Sequence, residues 1–261
     1  MTNWDAFDRE LDSWAAENRR ATFWWRDDDA RAPDPALDAL LDAAAARGAP
    51  LSLAVIPADI DPALETCLAA QPGLTVLQHG YAHQNHAPAV EKKQELGRHR
   101  PFPTVLGELA TGQARLAGLF GPLFHPVLVP PWNRIAPALI PMLPEVGYRG
   151  LSLYQPRARA MAAPGLAQAN THIDIVDWTG GRGFVGDAAA LGMAIGHLAA
   201  RRKGHADAAE PTGLLTHHLV HDGDCRAFLD RFLAAVAAHP AAAWLEAGAV
   251  FAPADSRIGG P

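Results

Sequence analysis

The sequence predicts an α/β barrel, seven or eight mainly parallel strands with helices outside, built as one domain over residues 1–261. Three observations carry this prediction. Short apolar runs alternate with longer Ala/Leu-rich stretches, the pattern of βαβ units and a parallel sheet. About half of the residues, 49%, are apolar, enough for a substantial core, and barrels of this length are single domains. Acids and histidines stand at the ends of the apolar runs, where such barrels carry their chemistry.

The elements follow in order. Trp4, Phe7, Leu11 and Trp14 lie near helical spacing with acids between them, which predicts an amphipathic helix over 4–18 packed on the barrel. Residues 21–25 are apolar and aromatic, a first buried strand. Asp34-Pro35 is an N-cap followed by proline at the first helical position, and Gly48 suits the far end of that helix. A second strand over 51–56 stops at Pro57. Asp61-Pro62 starts another helix, and Pro72-Gly73 closes it before a third strand over 74–78. Residues 87–103 are polar and irregular, a long loop over one barrel end, and loops of that length tend to be functional. A helix over 104–120 leads to a strand at 126–129, which ends in Pro130-Pro131-Trp132-Asn133. Further strands are expected at 150–153, 172–176 and 213–216, with a weaker one at 244–251. Helices are expected over 186–202 and 225–238, and an exposed loop over 204–211.

Charge and composition exclude several classes. With 22 basic and 28 acidic residues, net charge −6 and no Lys/Arg stripe, nucleic acid is not an expected partner. Cys67 and Cys225 stand far apart, so neither a disulfide framework nor a thiolate metal site is expected. No basic segment followed by an apolar one opens the chain, and the weakly polar stretch 188–200 is too short to span a bilayer. A soluble cytoplasmic protein is therefore expected, with its oligomeric state left open.

The chemistry concentrates in two places. Asp27-Asp28-Asp29 ends the first apolar run, and His79-Gly80-Tyr81-Ala82-His83 ends the third. Half of the twelve histidines fall in the windows 79–86 and 217–221. Carboxylates and imidazoles delivered at the ends of buried strands suit a catalytic divalent metal. A mixed Asp/His shell favours zinc, and three protein ligands leave a position open for water. A helical turn at residues 81–83 would place both imidazoles on one face. Acids that follow Phe23-Trp24-Trp25 with only Arg26 between are buried charges, which need partners or a metal.

On these motifs the chain resembles the polysaccharide deacetylases, carbohydrate esterase family 4 with the NodB-homology fold. Asp28-Asp29, His79-x-x-x-His83, Pro131-Trp132, Asp177-Trp178 and Leu215-x-His217 recur in that family's order and spacing, over roughly residues 23–218. The chain is most similar to a divergent bacterial branch with motifs R-x-D-D, H-G-Y-x-H, P-P-W-N and L-T-H-H. The resemblance implies a distorted (β/α)7-8 barrel and a metal-dependent hydrolase that removes acetyl groups from N-acetylated sugars. It also implies roles for individual residues. Asp28 would be the general base, with Asp29, His79 and His83 holding the metal, although sliding one residue back would make the pair Asp27 and Asp28. His217 would be the general acid, oriented by Asp177, with His218 as its rival. Trp132, Trp178, Pro131 and Tyr81 would contact substrate.

The pattern departs from the family in two respects that bear on the substrate side, the first being Arg26-Asp27 where the family has a Thr-Phe pair. The family's third motif carries an arginine that holds the catalytic aspartate, and Val129 stands in its place. An arginine for Asp28 must then come from Arg134 or Arg26. Bland readings stand beside these: core tryptophans, a surface His86, and an Asp174 that serves the strand edge. An esterase or amidase acting on a non-sugar molecule, or a glycan-binding barrel without turnover, are the competing functions.

Overall fold

A computed structural model describes residues 2–252. Helix α1 (Asn3–Ala16) opens on a capping box in which the Thr2 hydroxyl and Asp5 carboxylate satisfy each other's backbone N–H, and it buries the predicted stripe Trp4, Phe7, Leu11 and Trp14. Strand β1 (Ala21–Ala30) follows and runs on through all three aspartates, five residues further than the apolar run suggests. Asp34 caps α2 (Pro35–Arg47) by accepting the N–H groups of Ala36 and Leu37, and Gly48 ends it at φ 58°. Then come β2 (Leu51–Val55), α3 (Ala63–Leu68), β3 (Leu74–His79), α4 (Phe102–Phe120) and β4 (Phe124–Val129). The second half holds β5 (Gly150–Leu151), β6 (Met161–Ala163), β7 (Leu166–Gln168), β8 (Ile173–Asp174), α5 (Asp187–Arg202), β9 (Thr212–Thr216) and α6 (Gly223–Ala238). The weak strand expected over 244–251 is instead β10 (Ala242–Trp244) followed by a short helix, α7 (Ala247–Val250). The loop over 204–211 is not wholly exposed, because Glu210 is fully buried and accepts the backbone N–H groups of Arg157 and Asn170.

Strands β5-β4-β3-β2-β1-β9-β8 are neighbours in that order, and each of these pairs is parallel. A parallel bridge between Tyr154 and Thr171 joins the chain after β5 to the chain before β8, with N–H···O distances of 3.0 and 2.9 Å. That bridge brings the sheet round on itself, giving the distorted α/β barrel the alternation predicts. The antiparallel pair β6–β7 and the short β10 lie off this ring.

Strand alternation sorts the side chains into two cores. Phe23, Trp25, Leu53, Val76 and Leu214 face outward and pack with α1, α2, α5 and α6. Trp24, Ala54, Leu77, Val127 and Val129 face inward. The small Ala54, Ala167 and Ala169 leave room for the Trp24 indole, whose ring meets Phe251 edge-on at 5.5 Å as the α7 segment covers the bottom of the barrel. Truncating such a buried tryptophan to alanine typically costs about 3–5 kcal/mol. One turn of the pleat above Trp24 the inward positions become polar: Arg26 and Asp28 on β1, His79 on β3, Asp174 on β8 and His217 just past β9. The alternation that builds the core thus collects the titratable groups at the C-terminal ends of the strands. Among the described residues no helix is long and apolar enough to cross a membrane.

Candidate active site

Adjacent residues of a regular strand point to opposite faces, so Asp28 and Asp29 could not serve one site without a break. The break is present. The β1–β2 register shifts between Asp27 and Ala30, and Asp29 adopts φ 79°. A bulge of this kind re-aims a side chain, and here it turns Asp29 toward β3 while Asp28 stays inward. Asp27 falls on the outer face. Its carboxylate accepts the Thr216 hydroxyl at 2.6 Å and the His218 N–H at 3.0 Å, and pairs with His218 Nδ1. His218 is buried in that outer pair, away from the inward group, and His217 alone of the two faces the barrel interior. Against burial, the Asp27 carboxylate raises the His218 imidazole.

Arg26, fully buried, holds Asp28. Its Nε and Nη2 donate to the two carboxylate oxygens at 2.8 and 3.0 Å, Nη2 also donates to Asn133 Oδ1 at 2.8 Å, and Nη1 donates to Ser152 Oγ at 2.6 Å across the barrel. Arg134 takes no part in this, since its guanidinium donates to the Lys93 carbonyl. The arginine that serves Asp28 thus comes from two residues before it on the same strand. Asn133 has a further role: it and Trp132 both sit at φ 55°, an unfavourable left-handed conformation for a bulky side chain. The Arg26–Asn133 bond fixes that turn and leaves the Trp132 ring 4.5 Å from the His83 ring.

The two histidines of the H-x-x-x-H motif meet without a helical turn. Gly80 and His83 have φ 55°, and Tyr81 and Ala82 form a bend between them. A Cβ at Gly80 would lie 2.6 Å from the Pro131 ring and would collide with Glu95, so glycine is required there. Buried Glu95 pins this corner by accepting the N–H groups of Tyr81 and Ala82 at 3.1 and 2.7 Å. Those two N–H groups are therefore unavailable to a substrate oxyanion. The result places His79 Nε2 and His83 Nε2 at 3.1 and 3.3 Å from the same Asp29 oxygen. His79 is buried, while Asp29 and His83 keep 29% and 23% side-chain exposure, so the group is reachable from solvent.

Does this group suit a metal ion? Asp29, His79 and His83 offer three ligand atoms within 4.8 Å of one another, and Asp29 Oδ1 is a buried acceptor without a hydrogen-bond donor. His79 Nδ1 lies 3.0 Å from the Val129 carbonyl, to which only an Nδ1–H can donate, leaving Nε2 free as a ligand. The pocket carries negative charge that a cation would neutralise: despite its burial Asp29 is held well below the usual carboxylate range by His79, and Asp28 and Asp29 raise His79 against its burial, drawing positive charge to this corner. His83 is pushed down to about 4 by burial and by His79, so it stands neutral, as a ligand must. The residues fit a divalent metal.

A second three-donor group, His172, His197 and Glu210, fails the same test. His172 Nδ1 accepts the Gly213 N–H at 2.9 Å, so the proton of the neutral ring must sit on Nε2 and block it as a ligand. The His172 and His197 rings also stack at 3.4 Å with only 13° between their planes, which prevents one ion from lying in both planes. This group belongs to the core.

On the far side, His217 Nε2 stands 4.0 Å from Asp28, and the Trp178 ring meets its edge at 4.7 Å. The expected orienting residue, Asp177, does not reach it. Asp177 accepts the N–H groups of Thr179 and Gly180 and the Thr179 hydroxyl, closing a turn beyond the strand. Asp174 faces inward instead, accepts Trp178 Nε1 at 2.8 Å, and feels the His217 charge against the burial that raises its carboxyl. Trp178 is 42% exposed and Trp132 half-buried, so neither is a core tryptophan. Pro131 is buried under Gly80, and Tyr81 contributes backbone bonds to Glu95 and Ala58. His86 is a half-buried loop residue whose N–H bonds the Gln94 carbonyl. Glu95 and Asp174 are site-building residues that motif spacing does not reveal, and Asn133 of the P-P-W-N motif takes its role from its bond to Arg26.

No family model matches the sequence, and no curated protein does. Solved structures match strongly. A candidate polysaccharide deacetylase from Mycobacterium smegmatis is similar over 93% of both chains at 17% identity, with a TM-score of 0.65. A family 4 carbohydrate esterase from Streptomyces lividans, solved with acetate, matches over 84% of this chain and 88% of its own, at 17% identity and a TM-score of 0.52. A peptidoglycan N-acetylglucosamine deacetylase matches over 92% and 95% of the two chains, at 15% identity and a TM-score of 0.51. The chain has the barrel fold of the polysaccharide deacetylases and family 4 carbohydrate esterases.

Proposed function

We propose that the protein is a metal-dependent hydrolase of a C–N amide bond, acting in N-deacetylation of a carbohydrate-like substrate. The observation that carries this is one carboxylate, Asp28, set between a three-donor metal group and an imidazole 4.0 Å away. Asp29, His79 and His83 hold the ion, and a mixed carboxylate–imidazole set of this kind favours zinc. When bound, such an ion polarises the amide carbonyl and lowers the pKa of a water to about 7.

The protein's own groups do the rest. Asp28 is the general base: Arg26 binds both of its oxygens, yet each carboxylate oxygen keeps a further lone pair to receive a proton. His217 gives a proton to the departing nitrogen, which leaves poorly as an anion. Asp174, rather than Asp177, steadies His217 and Trp178 together. Trp132 and Trp178 stand on opposite sides of the group, one against His83 and one against His217, and offer flat apolar faces to a sugar ring.

An ester is the second reading, favoured by the structural likeness to an esterase solved with acetate. The need for an acid decides between them, because an alkoxide leaves more easily than an amide anion. Asp28→Asn tests the proposal. The variant should bind zinc as the wild type does and lose turnover of acetylated amides by at least about a hundredfold. Unchanged turnover would overturn the assignment, and faster wild-type turnover of acetyl esters than of amides would favour the ester reading.

A further inference from the structure

Each tryptophan that touches a site imidazole also carries a cation. Lys93 Nζ lies 6.0 Å from the centre of the Trp132 ring, and the Arg182 guanidinium lies 5.9 Å from the centre of the Trp178 ring. Arg134 stands beside Lys93, donating to its carbonyl oxygen. Lys93 and Arg182 are exposed, and no carboxylate pairs with them or with Arg134 among the described residues. The two acids nearest to Arg182 in sequence are already engaged, Asp177 accepting the N–H groups of Thr179 and Gly180 and Asp187 accepting Trp4 Nε1. In a chain of net charge −6, three cations without a carboxylate partner thus stand beside the two tryptophans that touch the site imidazoles. The other cation–aromatic contacts are of a different kind, since Arg19, Arg201 and Arg231 cover Trp14 and Trp4 of α1.

The backbone that carries Lys93 is held in place. Its loop is fastened by Asn85 Oδ1, which accepts the N–H groups of Ala87 and Gln94, by Glu95 on Tyr81 and Ala82, and by the Leu96–Ile135 bridge. A loop tied at these points delivers its cation beside Trp132 with little ordering cost on binding. An aromatic face takes the apolar face of a sugar ring, and a cation beside it takes charge at the ring's edge.

We infer that the substrate is anionic: an N-acylated sugar or similar small molecule bearing a carboxylate or phosphate, received by Lys93 and Arg134 beside Trp132 and by Arg182 beside Trp178. This rests on the deacetylase reading for the bond cleaved, but the charge preference can be measured by binding alone. In the Asp28→Asn variant, titration calorimetry would compare N-acetylglucosamine with its 6-phosphate and with N-acetylmuramic acid. The two anionic ligands should bind at least about tenfold more tightly than the neutral one, as charge-assisted hydrogen bonds allow. Adding Lys93→Gln, Arg134→Gln and Arg182→Gln should bring that ratio close to one. A preference for only one of the anions identifies its group as the one recognised. Equal binding of neutral and anionic ligands, no binding of any, or a preference that survives the triple substitution would overturn the inference. Wild-type turnover of the same compounds then tests the deacetylase reading separately.

Discussion

Arg26 is the point at which the site and the fold depend on each other, and replacing it has a calculable consequence. Arg26→Met keeps an apolar stem but strands the Asp28 carboxylate, which is 3% exposed, and removes the partners of Asn133 and Ser152. Breaking one side of a buried ion pair costs about 3–5 kcal/mol. At about 2–4 °C per kcal/mol for a chain of this size, the melting temperature should fall by roughly 6–20 °C. Adding Asp28→Leu removes the stranded charge, and replacing both members of such a pair is often nearly neutral. The double variant should therefore recover most of the loss and retain a deficit of about 1–3 kcal/mol for the unpaired Asn133 and Ser152 groups. Urea unfolding of chelated protein measures this without a contribution from bound metal. Arg26→Met within about 1 kcal/mol of wild type, or a double variant no more stable than the single one, would refute the reasoning.

Three further outcomes follow from the geometry. Asp174→Asn should lower kcat by about a hundredfold and shift the pH limb set by the acid, whereas Asp177→Asn should leave both near wild type; the opposite ranking would restore Asp177 as the orienting residue. Gly80→Ala forces a Cβ into Pro131 and Glu95 at φ 55°, so it should reduce both metal uptake and stability, as read by zinc titration and thermal melting. His197 is pushed down to about 2, by burial first and then by His172 and Arg201, so the folded state keeps it neutral while the unfolded state takes up a proton below 6.5. Its contribution is thus present above 6.5 and lost as pH falls, by about 1.4 kcal/mol per pH unit, and His197→Gln should remove one proton's worth of that slope in urea melts at pH 7, 6 and 5.

Much of this was legible in the residues. The apolar runs located the inner strands because a parallel strand covered on both faces is continuously apolar. The caps at Asp34 and Gly48 sat where their chemistry requires. Less legible was anything set by strand parity. Trp24, Arg26 and Asp28 share one face, a period-2 relation present in the sequence, and it favours Arg26 over Arg134 as the partner of Asp28. The same alternation puts Ile173 outward and Asp174 inward, while Asp177 lies past the end of β8. The bulge at Asp29 has no comparable signature, since three consecutive aspartates do not announce which one leaves the pleat. Nor does sequence spacing connect Glu95 to the N–H groups of Tyr81 and Ala82, or Asn133 to Arg26, because folding alone brings those segments together. The expected helical turn at His83 failed for a local reason: Gly80 and His83 both take positive φ, and the histidines meet through a corner.

The proposed catalytic metal belongs to one group of donors, Asp29 with His79 and His83, and not to the buried His172 group. Elemental analysis of purified protein, reloaded with zinc after chelation, tests it directly in the wild type, His79→Ala and His172→Ala. About one ion per chain in the wild type, lost in His79→Ala and kept in folded His172→Ala, is the predicted result. A wild type that takes up no zinc, or an ion lost with His172 and retained without His79, would contradict the account.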